Sequence, residues 1–287
     1  MKIGIFGNNF QSDQQNLIKR IFEYLHSFGA EILVEKSFYE YLSEELDFSP
    51  EIRGIIPEMY PDVAISIGGD GTFLHTVAFI QDRNIPIMGI NTGRLGFLAD
   101  TGIFEIEKAI GSLFRKDYRI EERSLLQMNT IGEDYPVTFA LNEIAVQKRD
   151  TSSMISIETH INGEYLTTYA ADGLVVATPT GSTAYSMSVN GPIIVPQAEN
   201  VVLSPIAPHS LNVRPLVIPD SFVLDLKVKT RGDNFLVSSD GHSEVFPSEM
   251  QFHIRKAGFT VKLIKSADHT FYRTLREKLM WGADARN

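Results

Sequence analysis

Cysteine is absent from the 287 residues, which excludes disulfides, thiolate nucleophiles and Cys-ligated zinc and fits a reducing compartment. No window approaches the ~18 apolar residues of a membrane span, and the apolar start, Met1 to Gly7, is too short for a secretory signal. Internal repeats, low-complexity tracts and blocks of like charge are also missing. Basic side chains are outnumbered, 26 against 36 acidic ones, and the formal charge of −10 argues against a non-specific surface for nucleic acid or anionic membrane. The expectation is a cytoplasmic protein that holds any polyanionic ligand through local groups. What is present, 43% hydrophobic and 22% charged residues over a chain long enough for two cores, is ordinary for a soluble globular protein.

The first part of the chain alternates strands and helices. Lys2 to Gly7 reads as a buried strand, and Leu17, Ile18, Ile21, Phe22 and Leu25 recur at helical spacing until Gly29 offers a C-cap. Glu31 to Lys36, Val63 to Ile67 and Ile85 to Ile90 read as further strands, and Phe73 to Ile80 and Phe104 to Arg115 as helices. This order predicts a Rossmann-like parallel sheet covered by helices, with ligands at the carboxyl ends of its strands. From Tyr118 the texture becomes β-rich. Met154 to Ile161 and Glu164 to Tyr169 flank Asn162-Gly163, a hairpin signal. Runs at Val217 to Val228, Phe235 to Ser239 and Met250 to Ile264 extend a sandwich-like all-β domain, interrupted by a helix opening near Ser182. Phe271 to Trp281 has helical spacing. The expected domains are 1–117, 118–267, and a C-terminal helix in 268–287 returning to the first domain.

Four segments carry chemistry. Gly68-Gly69-Asp70-Gly71-Thr72 ends an apolar strand; its three glycines allow positive φ and a nest of N–H donors for an anion, while Asp70 offers a base or a metal contact. The bland alternative is a strand-to-helix turn whose Asp70 caps the helix. Asn91-Thr92-Gly93-Arg94-Leu95-Gly96-Phe97 follows a second strand, so both loops can share one crevice, and the Arg94 guanidinium suits bidentate phosphate binding. Asn142-Glu143, closing the run Thr138 to Leu141, sets an amide and a carboxylate side by side, suited to ribose hydroxyls and adenine amino groups, or to an ordinary turn. Asp172 precedes the buried run Leu174 to Ala177, and Thr178-Pro179-Thr180-Gly181-Ser182-Thr183 then forms a hydroxyl-rich turn leading to Ala184 and Tyr185. Its hydroxyls and N–H groups could read an adenine edge, and Tyr185 could pack on a base. One helix-capping hydroxyl explains only part of that turn. Asp240-Gly241-His242 follows a further apolar run.

Together, over roughly residues 60 to 245, these segments resemble the NAD kinase family in order and spacing. The resemblance implies an ATP-dependent enzyme that phosphorylates the 2′-hydroxyl of the adenosine ribose of NAD, giving NADP, with Mg²⁺ bridging the donor phosphates. It makes Asp70 the base. It assigns NAD to Asp70, Gly71, His75, Asn142, Glu143, Asp172, Thr180, Thr183, Ala184, Tyr185, Ser186, Ser188 and Asp240, and ATP phosphates to Gly68, Gly69, Thr72 and Arg94. It names no metal ligands, and it suggests a homodimer or homotetramer. The chain departs from the pattern at Ala170, where several family members carry a basic residue two before the matching aspartate. Charge contact with the new phosphate would then fall to His75, Arg149 or a neighbouring subunit. The alternatives are a lipid or sugar kinase sharing the Gly-Gly-Asp-Gly turn, against which the acidic composition weighs, and a non-catalytic nucleotide sensor.

Overall fold

The structure, a computed structural model, describes every residue except 9–13, 45–50, 57–58, 94–95, 150–152, 268 and 282–287. The chain divides into two compact units, Met1–Glu122 with Val261–Asn287, and Arg123–Thr260.

In the first unit the elements are β1 (Lys2–Phe6), α1 (Gln15–Ser27), β2 (Glu31–Glu35), α2 (Lys36–Glu44), β3 (Gly54–Ile56), β4 (Val63–Gly68), α3 (Asp70–Ile80), β5 (Ile87–Asn91) and α4 (Ile106–Arg115). The strands pair in parallel in the order 3-2-1-4-5. This is a doubly wound order whose direction reverses between β1 and β4, the place where such sheets bind ligands. Ile3 and Ile5, Ile65 and Ile67, Ile32 and Val34 share one core with Leu17, Ile18, Ile21, Phe22 and Leu25 of α1, the side chains whose spacing predicted that helix. Phe6 points to the opposite face, as neighbours in a strand do, and meets Phe79 of α3 at 5.4 Å. Helices therefore cover both faces. α1 ends in a Schellman motif: Gly29 has φ 69° and donates to His26, and Ala30 donates to Leu25.

The second unit continues with β6 (Arg119–Ile131, begun in the first unit), β7 (Thr138–Ala140), β8 (Glu143–Lys148), β9 (Ile155–Ile161), β10 (Glu164–Ala171), β11 (Gly173–Ala177), α5 (Tyr185–Ser188), β12 (Asn200–Ile206), β13 (Leu216–Pro219), β14 (Leu224–Lys229), β15 (Asn234–Ser239), β16 (His242–Pro247) and β17 (Gln251–Lys265), which ends back in the first unit before α6 (Phe271–Leu279). One antiparallel sheet runs β13-β12-β11-β8-β15-β16, and β10, β9, β14 and β17 pair antiparallel in another. Ile144, Val146, Leu174, Val176 and Phe235 from the first sheet and Ile157, Leu226, Val228 and Phe252 from the second fill a single core, so the unit is a β-sandwich. Asn162 and Gly163 have φ of 50° and 81°, the positive pair that a two-residue hairpin turn requires.

Five local expectations need correction. The Val217 to Val228 run is two strands, because Asp220 to Val223 turns the chain between β13 and β14. The helix expected near Ser182 is a 3-10 turn over Thr180–Thr183 followed by the single turn of α5, and the Phe104 helix opens as a 3-10 turn over Ile103–Glu105. The run from Thr138 holds the expected strand, β7, and Asn142 follows it, but Glu143 belongs to the next strand and opens β8. Nor do all three glycines of the first motif take positive φ: only Gly68 does, at 152°, while Gly69 precedes α3 at φ −106° and Gly71 lies inside the helix.

Candidate active site

Asp70 is the first residue of α3, and its carboxylate does not cap that helix. It turns instead to the segment after β5. Oδ2 accepts the Phe97 N–H at 2.9 Å, and Oδ1 accepts those of Leu98 and Ala99 at 3.0 and 3.1 Å. Three consecutive amides thus converge on one carboxylate. A Cβ on Gly96 would fall 2.0 Å from Oδ1, which is why a glycine stands there. Lys278, on α6, places Nζ 3.4 Å from Oδ2 and 4.6 Å from the centre of the Phe97 ring. The Asp70 side chain stays 30% exposed. Around it the backbone is open: a Cβ on Gly69 or Gly71 would meet nothing within 4 Å, and the first turn of a helix offers unpaired N–H groups to an anion. The Thr92 N–H donates to Gly68 O, so the two glycine loops adjoin. His75 is exposed, and Arg94 lies outside the described residues.

The peptide at Leu98 is held from behind. Its carbonyl accepts from Lys265 Nζ at 3.0 Å, and the same ammonium lies 2.7 Å from Asp100 Oδ2, which also meets His269 Nδ1 at 3.0 Å. Burial works to raise the Asp100 carboxyl, but the Lys265 ammonium and then His269 outweigh it and hold the group below the ordinary carboxylate range. Sequence reasoning missed Asp100, Lys265, His269 and Lys278. A lysine directly after the apolar pair Leu263-Ile264 was the one available signal.

In the second unit Asp240 repeats the device. Oδ2 accepts the Leu141 N–H at 2.7 Å and Oδ1 those of Asn142 and Glu143 at 2.8 and 3.1 Å. Asp240 takes φ 48° and Gly241 87°, the Asp-Gly turn between β15 and β16. Burial raises the Asp240 carboxyl despite those three donors. Glu143 beside it is 9% exposed, its Oε2 has no partner among the described residues, and burial together with the Asp240 charge pushes its carboxyl up to about 7 against the opposing N–H of Tyr185.

The hydroxyl-rich turn is largely self-bonded. Thr178 Oγ1 donates to Leu141 O and accepts the Gly181 N–H; Ser182 Oγ donates to Pro179 O and accepts the Ile194 N–H. Ser186 is fully buried against Ser204, Thr183 donates to Thr180 O, and Ser188 to Tyr185 O. Gly181 comes so close to Asn142 that a Cβ would lie 2.0 Å from its carbonyl. The turn therefore locks Asn142, Thr180 and Tyr185 into one rigid piece. The Tyr185 ring packs on Ala145, Val175 and Ala177, its hydroxyl accepts from Gln147 Nε2 at 2.8 Å, and the residue is half-buried. Asp172 pairs with Lys148 at 2.7 Å. Ala170 lines a cavity of ≈ 500 Å³ with Ser156 and three cations that the sequence reading did not name, Lys148, Lys229 and Arg231.

Two family models cover most of the chain: the ATP-NAD kinase N-terminal domain over residues 3–118 and the ATP-NAD kinase C-terminal domain over 141–266. The chain belongs to the ATP-NAD kinase family. It is 48% identical to the NAD kinase of Bacteroides fragilis over the full length of both, and 46% identical to that of Porphyromonas gingivalis over 99% of each. Its fold matches a crystal structure of yeast NADH kinase complexed with NADH, at TM-score 0.90 and 25% identity, covering 99% of this chain and 88% of that one. An Archaeoglobus fulgidus NAD kinase in complex with ATP matches at TM-score 0.75 and 25% identity over 98% of each. As an ATP-NAD kinase the enzyme is a phosphotransferase, with ATP as donor, the 2′-hydroxyl of NAD as acceptor and NADP as product.

The raised Glu143 carboxyl gives a signed prediction. An acid whose pKa is higher folded than unfolded binds more protons when folded between the two values, so stability falls as pH rises from about 4.3 to about 7. Glu143→Gln abolishes that loss. Urea denaturation of both proteins from pH 4 to 8 is expected to show the variant gaining on wild type by up to about 3 kcal/mol across this window. A flat difference refutes the assignment.

Among the described residues no three His, Asp or Glu side chains converge to hold a metal ion. The Asp70 oxygens are already engaged by N–H donors. No described helix is long and apolar enough to cross a membrane.

Proposed function

We propose that Asp70 is the general base that takes the proton from the 2′-hydroxyl of NAD. The observation that carries this reading is a partly exposed carboxylate fixed by three consecutive amides at a helix N-terminus whose backbone is open to phosphate. Fixed geometry is what a base needs, because proton transfer demands hydrogen-bond reach in the reactive pose. Gly68, Gly69, Thr72 and Arg94 bind the ATP phosphates in this reading, and Gly71 and His75 lie beside the acceptor. In the second unit Asn142, Glu143, Asp172, Thr180, Thr183, Ala184, Tyr185 and Ser188 meet NAD, whereas Ser186 and Asp240 act by holding those groups in place. Mg²⁺ held mainly by the ATP phosphates would neutralise their charge, since this ion is commonly bound through substrate phosphates and one or two carboxylates. Assembly as a homodimer or homotetramer in the cytoplasm belongs to the same proposal; β10, at a sheet edge with Tyr165 and Leu166 exposed, supports an association surface.

Tyr185 provides the test of the acceptor assignment. A ring already immobilised by Gln147 and by its packing loses little entropy when a base stacks on it. Such stacking is worth about 1–3 kcal/mol, so Tyr185→Ala is expected to raise the Kd for NAD tenfold or more in a calorimetric titration while ATP binding stays constant. Unchanged NAD affinity would remove Tyr185 from the site. The wild-type enzyme, given ATP and NAD, is expected to form NADP by chromatographic assay.

A further inference from the structure

We propose that Lys278 is a catalytic residue, whose ammonium leaves Asp70 as the substrates bind and takes up the oxygens of the transferring γ-phosphoryl group. The inference rests on the reading of Asp70 as base. An ionised carboxylate has about four acceptor sites. In this structure the Phe97, Leu98 and Ala99 amides and Lys278 together occupy them. A hydroxyl that is to surrender its proton to Asp70 needs one of those sites. The three amides belong to a backbone segment braced by Lys265, so they cannot withdraw without moving the chain. Lys278 sits on a flexible stem with a third of its side chain exposed, and it is the occupant that can leave.

The contact itself is loose. At 3.4 Å it is longer than the 2.7–2.9 Å of a charge-assisted hydrogen bond, and the ammonium is shared with the face of the Phe97 ring. Yet its tether is firm. Thr270 caps α6 by accepting the Arg273 N–H, Thr274 and Leu275 are buried, and Phe271 meets the Phe97 ring at 6.4 Å. Lys278, in the last turn of that helix, cannot drift far from Asp70.

The ammonium then needs another anion, and the reaction supplies one at the right place. A hydroxyl hydrogen-bonded to Oδ2 and about 3–3.5 Å from the phosphorus puts phosphoryl oxygens within about 6 Å of Oδ2, inside the swing of a lysine already 3.4 Å away. In the transfer, the acceptor oxygen forms its bond to the γ-phosphorus as the bond from that phosphorus to the β,γ-bridging oxygen breaks. ADP keeps that electron pair, and the hydroxyl proton passes to Asp70. Charge on the equatorial oxygens is what Lys278 stabilises, and no further reagent is required.

Lys278→Met keeps the stem and removes the charge; Lys278→Arg keeps a charge. Losing one such electrostatic donor lowers kcat by roughly 10²–10³-fold. Because the contact strengthens as the γ-phosphoryl group passes to its transition state, kcat and kcat/KM for ATP are expected to fall together in Lys278→Met, with KM for ATP changed far less than kcat and the calorimetric Kd for NAD no weaker than wild type. Lys278→Arg is expected to recover at least tenfold over Lys278→Met. Thermal unfolding of both confirms that folded protein is compared. A Met variant with wild-type kcat, a loss confined to KM, or an Arg variant no better than Met at equal stability overturns the proposal. Asp70→Asn in the same assay separates the two readings. If it turns over like wild type, the base assignment fails and takes this inference with it; if it is inactive while Lys278→Met is normal, this inference alone fails.

Discussion

Asp70→Asn is expected to lower kcat by about 10²–10⁴-fold, the usual contribution of a general base. The amide is nearly isosteric and cannot take the proton. The local geometry adds a second consequence, because both carboxylate oxygens accept backbone N–H groups. Whichever oxygen becomes NH₂ must face a donor, Phe97 on one side or Leu98 and Ala99 on the other. One or more of these amides is then left without its acceptor, at about 1–3 kcal/mol for a buried group and less here, where solvent reaches the side chain. The kinetic comparison therefore belongs well below the variant's unfolding temperature, with NAD binding followed by calorimetry. Folded Asp70→Asn protein turning over within about threefold of wild type would mean that the reaction uses another base or none.

Lys265→Met is expected to destabilise the enzyme by about 3–5 kcal/mol in urea denaturation, the range for breaking a buried ion pair from one side. The methionine fills the stem's volume but leaves Asp100, 7% exposed, without its principal cation and the Leu98 carbonyl without its donor. The pair lies behind the Leu98–Ala99 peptide, whose Ala99 N–H holds Asp70, so a fall in kcat is expected alongside the loss of stability. Adding Asp100→Asn to Lys265→Met tests the cause. If the stranded charge dominates, the double variant is more stable than Lys265→Met alone, a coupling that only a cycle exposes. A loss below about 1 kcal/mol for Lys265→Met would mean that water or His269 satisfies Asp100 without the lysine.

The elements were legible where one short segment carries the whole signal. The apolar spacing of α1 and the Asn162-Gly163 hairpin are of this kind, as is Gly68 at the end of β4. Each reports a period or a dihedral preference, and both are properties of neighbouring residues. The long strand β6 and the short helix α2 carry weaker signals, and the reading passed over them. The hydroxyl-rich turn was recognised but given the wrong emphasis. Most of its hydroxyls brace the turn itself, and composition cannot tell a hydroxyl that bonds its own backbone from one that meets a ligand.

By itself the sequence determined that Asp70 stands at a strand-to-helix junction, that the glycines around it leave backbone bare, and that the motifs follow the order of the ATP-NAD kinases. Only the tertiary structure decided what grips that aspartate. Its amide donors lie 27 to 29 positions further along, its cation 208 positions away, and the lysine bracing the donors is 167 positions from Leu98. The same holds for Asp240, which reaches back 97 to 99 positions to Leu141, Asn142 and Glu143 and thereby helps to set the carboxyl of Glu143 near neutrality. Periodicity and turn chemistry act over a few residues, whereas the field at a carboxylate is summed over whatever charges and dipoles the fold brings within a few ångströms, so it exists only once the chain has closed on itself.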